Sequence, residues 1–498
     1  MAGWRDATPV LVGVGEVTER TDDPGDGREP LALMAEALRR ADADAGGGWL
    51  ARLDTLNVVN SVSWSTVDPV ARLCSLIDAA PRTRTYGEVG GETPIRFLNE
   101  AAGRIASGEA EVAAIVGAEA ADTVLRASRS GIALPWSPAG PPRRRLDFKA
   151  LFHRAVVANG LTTPLIVYPF YEAASAAAWG QSPAEATAES AALWSRFAAS
   201  AEQNPAAWIR RGASVQEIAE PTPSNRRVAG PYTKLMVANP NVNQGAALIL
   251  TRHDLAKAAG VGDDRLVFVL GGAGADEPRD FTRRNAYHHS TAMDATLQAA
   301  QRVAEDNGDA LEHLELYSCF PCVPKMARRT LGLGADVEPT VTGGLTFFGA
   351  PLNDYMTHAA AAMVRWLRQA DGAGLLYGQG EFVTKHQTAV LSRTPPRRPF
   401  AIDADAQAVA DARRGPVPPI DQDRRGAAEV ETYTVGYARS GEPEFAVVFA
   451  RAGEARVVAR CDADDPATLA AFAAPDDWPI GRTGRLEECG TGTPRFAL

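Results

Sequence analysis

Cys319 and Cys322, in the run YSCFPCV, are the first residues of this chain that could do covalent chemistry. A lone CxxC lacks the second pair that a tetrahedral zinc site needs, so no metal is expected. A thiol where a strand gives way to a helix can be shifted towards thiolate, which would make it reactive; a cysteine there can equally fill space in a core. His358 in NDYMTHAAA, near a predicted helix start, and His386 in TKHQT are isolated imidazoles, as suited to packing as to proton transfer. Two glycine-rich runs, GEVGGETP (87–94) and GGAGADEP (271–278), fail as phosphate cradles. Neither ends in Gly-Lys-Ser/Thr, and neither has dinucleotide spacing with a following acidic residue. GEVGGETP precedes an apolar helical stretch, with Thr93 expected as N-cap and Pro94 as first helical residue. Free amides there would suit an anion or an oxyanion, unless the turn only caps the helix.

The elements that must position these residues alternate. PVLVGVGEV (9–17) reads as a strand and PLALMAEALRRADADAG (30–46) as a helix. Strand and helix recur through EVAAIVGAEA (111–120), an unbroken apolar run. A mostly helical, aromatic and Pro-broken lobe is expected over about 121–225. NVNQGAALILT (241–251) and RLVFVLGGAGA (265–275) resume the alternation, and a second half follows, with helices near 291–306, 323–331 and 357–369. The expected division is an N-terminal half over 1–255, a C-terminal half over 256–393, a Pro/Arg-rich linker over 394–427 and a small β domain over 428–498, where the apolar period drops to two. This is an α/β layered architecture.

The composition, with 45% hydrophobic and 22% charged residues in 498, is that of a globular chain of about three domains. Fifty-one Lys and Arg against 61 Asp and Glu leave a net charge of −10, which opposes nucleic acid and anionic membrane surfaces. No apolar run reaches the roughly 18 residues of a membrane span. Five sparse cysteines (74, 319, 322, 461, 489) and the absence of a secretory pattern at the N-terminus lead to the expectation of a reduced, cytoplasmic protein.

The order of elements, together with ASGEAEVAAIVGAEA, PYTKLMVANPNVNQGAALIL, LELYSCFP, TGGLTFFGAP and LLYGQGEF, resembles the thiolase superfamily from Val10 to about Ser392. It looks like thiolase-like proteins of type 1 (acetyl-CoA acetyltransferase-like) with an additional C-terminal domain. The resemblance implies the thiolase fold: two similar βαβαβ halves in five layers, an inserted lobe and a small OB-like β domain open to a protein partner. In thiolases a cysteine at the N-terminus of a buried helix is acylated by acyl-CoA; the family spacing ahead of Gly108 assigns that position to Gly91, or to Glu92 one residue on. The Gly-His-Pro histidine becomes Ala350, between Gly349 and Pro351, and the Cys-x-Gly cysteine becomes Leu376, leaving Gly378 as a backbone donor. The Asn-Glu-Ala-Phe stretch becomes Tyr317, Ser318, Cys319 and Phe320. Sterol-carrier-type thiolases use a cysteine at the position of Cys319. The resemblance therefore implies an acyl-CoA-handling acyltransferase in which Cys319 acts on a thioester, assisted by His358 or Tyr317, with classical thiolysis weak or absent. The alternatives are a catalytically silent CoA or acyl-thioester binder and a subunit of a lipid-metabolism complex. Monomer and homodimer both stay open, and no bound cofactor is expected beyond coenzyme A as substrate or ligand.

Overall fold

The structure is a computed structural model that describes residues 3–140, 147–474, 476–488 and 493–498; Cys489 lies outside them. In the N-terminal half β1 (Pro9–Thr18), β2 (Thr55–Val58), β3 (Thr83–Tyr86) and β4 (Val112–Ala120) are followed by a small hairpin and a long strand. The hairpin is β5 (Arg227–Ala229) and β6 (Tyr232–Thr233), and the strand is β7 (Asn243–Arg252). The second half holds β8 (Val267–Asp276), β9 (Leu311–Glu315), β10 (Ala373–Gly380), β11 (Lys385–Ser392) and β12 (Ala401–Asp403).

Pairing repeats between the halves. In the first, β2 runs parallel to β4, and β4–β7 and β7–β1 are antiparallel. In the second, β9 runs parallel to β10, and β10–β11 and β11–β8 are antiparallel. The halves join edge to edge through Val10 opposite Phe268 and Leu11 opposite Val267, giving the order β3-β2-β4-β7-β1-β8-β11-β10-β9. Strands such as β4, buried at all nine positions, are apolar throughout because both faces are covered. Helices Thr93–Ala106 and Tyr355–Leu367 each touch strands of both halves, and each other, so they form the central layer. Helix 355–367 is buried along most of its length, as a helix between two sheets must be. Helices Pro30–Asp44 and Thr291–Asn307 cover the outer faces of the first and second halves. Five layers result.

The inserted lobe is helical, as its composition suggests. Helix Pro183–Gln203 starts at a reciprocal capping box between Ser182 and Glu185. Glu172 of helix Pro164–Ala178 forms a fully buried ion pair with Lys325 of helix Cys322–Thr330, which also donates to Ser190 Oγ at 3.0 Å. Tyr232 Oη donates to the other Glu172 oxygen at 2.9 Å. Every charge here is matched, so removing one partner would strand the other in a dry interior at a cost of about 3–5 kcal/mol.

The stretch read as a linker, 394–427, is only partly irregular. Between its Pro/Arg-rich ends lie β12, parallel to β8, and helix Ala406–Arg413, packed on helix 291–307. Beyond it β13 (Gly426–Tyr437), β14 (Pro443–Ala452), β15 (Ala455–Asp462), β16 (Thr483–Glu487) and β17 (Arg495–Ala497) close into a five-stranded barrel, since β13 pairs with both β14 and β16. Closure satisfies edges that a free sheet would expose. The barrel is docked rather than tethered. Thr432 Oγ1 donates to the Phe170 carbonyl at 2.6 Å, and Phe449 stacks on Phe170 with ring centroids 4.4 Å apart. The buried Arg456 donates to the carbonyls of Thr282 and Arg284 at 2.8 and 2.7 Å and pairs with Glu431. Among the described residues no helix is long and apolar enough to cross a membrane.

Candidate functional site

A cavity of about 730 Å³ opens at the N-terminus of the central helix 93–106, where Gly90 and Gly91 meet Tyr317, Cys319 and the Gln379–Phe382 turn. Its size is that of a site for a cofactor or a drug-sized ligand. Phe148 and Leu165 from the insert, Phe320, and Leu345 and Leu352 ahead of helix 355–367 make its walls mainly apolar.

Tyr317 sets the floor. It is a bulky residue held at φ +42°, a left-handed conformation that non-glycine residues rarely adopt. This backbone turns its phenol over Gly91, so that a Cβ on Gly91 would collide with the Tyr317 hydroxyl and approach the Gln379 carbonyl. The space into which a side chain at position 91 would project is thus filled by a phenol from the other half. Burial, with Cys319 and Glu92 nearby, raises the Tyr317 pKa well above that of a free phenol, so it stays a neutral donor.

Cys319 also lines the cavity, and Gln379 fixes its thiol. The Gln379 amide donates to Cys319 Sγ at 3.3 Å and to Tyr168 Oη at 2.5 Å, while its carbonyl accepts from Val383 N at 3.1 Å. Tyr168 stacks on Phe320 at 4.2 Å and donates to the Glu381 carbonyl at 2.9 Å. The expected shift towards thiolate is reversed. Burial pushes the Cys319 thiol up to about 12, and the hydrogen bonds from Tyr168 and Gln379 offset only part of that. Cys322 opens helix 322–330 fully buried and is raised as well.

The helix end also differs from expectation. Thr93 is the first helical residue, not the cap; Glu92 occupies the cap position without a side-chain cap bond, and the Thr93 hydroxyl donates to the Glu88 carbonyl at 3.3 Å. The Gly90 amide is already taken by Asn353 Oδ1 at 2.9 Å, and Asn353 is itself anchored to the Asn60 carbonyl at 3.0 Å. Gly90 is therefore not an open anion donor. Glu92, 4% exposed, packs its carboxyl against Gly90 and Gly380, and its Oε2 has no hydrogen-bond partner. Burial raises it to about 7, against the pull of Lys385, whose Nζ is 3.9 Å away.

The remaining expected residues separate. Ala350 lines the cavity. Leu376 and Gly378 lie on β10 outside its wall, and Gly378 packs behind the Gly91–Glu92 backbone. His358 is also outside the wall. Its position in the first full turn of helix 355–367 turns it into the core, where Nδ1 lies 2.5 Å from Glu16 and Nε2 lies 3.7 Å from Asp354. Burial opposes the charge on Glu16, but Arg365 and His358 hold it below the usual carboxylate range; burial drives Asp354 well above it. His386 is buried beside Tyr377, whose hydroxyl contacts its Nδ1 at 2.7 Å, and burial lowers it to about 3, so it carries no charge. Tyr168 and Gln379 join the site unannounced. The only signal for them was adjacency: Tyr168 lies in the aromatic run VYPFY, and Gln379 follows the Gly of LLYGQGEF. Among the described residues no cluster of three or more metal-ligating side chains occurs.

Residues 406–491 match the family model described as "Thiolase-like protein type 1 additional C-terminal domain". No curated protein matches the chain. Among solved structures, a monomeric SCP2-thiolase like protein type 1 from Mycobacterium smegmatis superposes with a TM-score of 0.83 at 28% identity, covering 99% of each chain. The dimeric peroxisomal thiolase of Saccharomyces cerevisiae and the acetyl-CoA acetyltransferase of Syntrophomonas wolfei both give a TM-score of 0.55, at 13% and 15% identity. Each covers 78% of this chain, with 98% and 99% of its own length matched, and these two establish the shared fold. The paired halves, the five layers, the closed barrel and the match along the whole chain agree: the protein has the thiolase fold, is similar over its whole length to an SCP2-thiolase like protein type 1, and carries the additional C-terminal domain of thiolase-like proteins of type 1.

Proposed function

We propose that the cavity binds an acyl thioester of coenzyme A and transfers its acyl group directly to an acceptor, with no acyl-enzyme. The observation that supports this is the Tyr317 hydroxyl standing over Gly91, in the space where a residue-91 nucleophile would project. A neutral phenol there is a hydrogen-bond donor for the thioester carbonyl as negative charge builds on its oxygen, a contact whose loss costs about 10²–10³ in rate in comparable sites. In such a transfer the acceptor's X–H attacks the carbonyl carbon, the C–X bond forms and the C–S bond breaks. The acceptor's proton ends on the departing sulfur, giving acyl-X and free CoA. Cys319, raised to about 12, would serve as a proton carrier rather than as a nucleophile.

The test combines binding and consumption. CoA, acetyl-CoA, acetoacetyl-CoA and longer acyl-CoAs are each screened for a rise in unfolding temperature and for thiol release. Ligand at 100 times its Kd stabilises by about 2.7 kcal/mol. The expected result is stabilisation by CoA, thiol release from at least one acyl-CoA, and loss of that release in Tyr317→Phe with binding kept. No stabilisation by any of them overturns the proposal. Stabilisation without thiol release supports the second reading, a silent thioester-binding protein, which the protonated state of the buried Cys319 thiol favours. We further propose that the chain is monomeric, as the relative from Mycobacterium smegmatis is described to be; light scattering should then give about 52.8 kDa.

A further inference from the structure

A second cavity of about 520 Å³ lies between the helical insert and the barrel, and it shares no lining residue with the first. One wall is formed by small residues of the insert, Ala184 and Ala188 of helix 183–203 and Ala219 of helix Val215–Ala219. The other comes from the barrel: Val435, Phe472 and the ring of Trp478, which is fixed by a 2.8 Å bond from its Nε1 to the Gln181 carbonyl. Small residues facing flat rings leave a slot that suits an unbranched chain.

Two polar groups on this slot have no hydrogen-bond or ion-pair partner among the described residues. Tyr433 is 5% exposed, yet its hydroxyl makes no hydrogen bond among the described residues, and it faces the cavity. Arg227, on β5, forms no ion pair among the described residues; its guanidinium lies 5.9 Å from the ring centroid of Tyr437 at the cavity wall. The carboxylate that also lines the cavity, Glu220, accepts a 2.8 Å bond from Gln216 Nε2 instead. An apolar slot with an unmatched cation on its wall is complementary to an aliphatic tail ending in a carboxylate.

We propose that the cleft between insert and barrel is a binding site for an unbranched aliphatic carboxylate, with the tail between the alanines of helix 183–203 and the barrel rings and the carboxylate on Arg227. The bound chain would join the insert to the barrel. This site is separate from the one assigned to the thioester, so either proposal can fail alone.

The probe is decanoate, titrated calorimetrically into the full chain, with decanol as the uncharged control. Saturable binding of decanoate, at least tenfold tighter than decanol, is expected. Arg227→Gln should weaken decanoate at least tenfold and leave decanol unchanged. Ala188 is exposed at the rim, so Ala188→Trp should fill the slot without disturbing the core and abolish binding of both, its unfolding temperature confirming that it folds. A repeat with saturating CoA should give the same affinity. Absence of decanoate binding overturns the proposal, as does binding that neither substitution weakens. Displacement of decanoate by CoA would place it in the other cavity and overturn it too.

Discussion

Glu92 is a carboxyl that folding makes harder to ionise. Burial raises it to about 7 from an ordinary 4.5, with Lys385 pulling the other way. Below about pH 4.5 both folded and unfolded chains hold this proton. Between about 4.5 and 7 only the folded chain does, so stability falls as pH rises through that window and stays lower above it. Glu92→Gln removes the ionisation and should stabilise the protein at pH 8 by up to about 3 kcal/mol while changing little at pH 4.5, read from unfolding curves at the two pH values. Cys319 obeys the same physics with a different readout. A thiol held at about 12 is almost entirely protonated at pH 8, so iodoacetamide should leave Cys319 unmodified in the native chain and label it in urea, as peptide mass spectrometry would show.

At the scale of elements, the helix that carries Tyr168 is held from two sides. Tyr168 reaches the site through Gln379 and Phe320, and two residues on Phe170 lies under the barrel's Phe449 and Thr432. Phe449 also stacks on Tyr287 at 5.0 Å. Phe449→Ala should cost about 3–5 kcal/mol, and the loss should appear as faster amide exchange along residues 164–178, well beyond the barrel itself. The major strands and helices were legible in the sequence because their apolar periods are long and clean. The helix 406–413 was not: eight residues of AQAVADAR give barely two turns of pattern, and Pro- and Arg-rich flanks on both sides imitate a linker. Motif order brought Tyr317 and Cys319 to the site, because a strand end is placed by topology. His358 was misplaced because a position in a motif does not tell which side of a buried helix faces the ligand. Tyr168 and Gln379 escaped because the bond between them joins residues far apart in the chain.

As a whole, the molecule couples its barrel to the two thiolase halves through buried groups. Arg456 spends its guanidinium on carbonyls of Thr282 and Arg284 and on Glu431, and a barrel that separated would leave those groups and the rings of Phe170 and Tyr287 unmatched. Calorimetry should therefore show one cooperative transition for core and barrel together, and a chain ending at residue 427 should be far less soluble than the full one. The mutual exclusion of Gly91 and Tyr317 reaches further than stability. A sulfur introduced at position 91 would be driven into an occupied site, so a cysteine fits there only if Tyr317 is made smaller, at the expense of whatever the phenol does. Position 91 is closed to a thiol by volume, and opening it means remaking a residue of the opposite half.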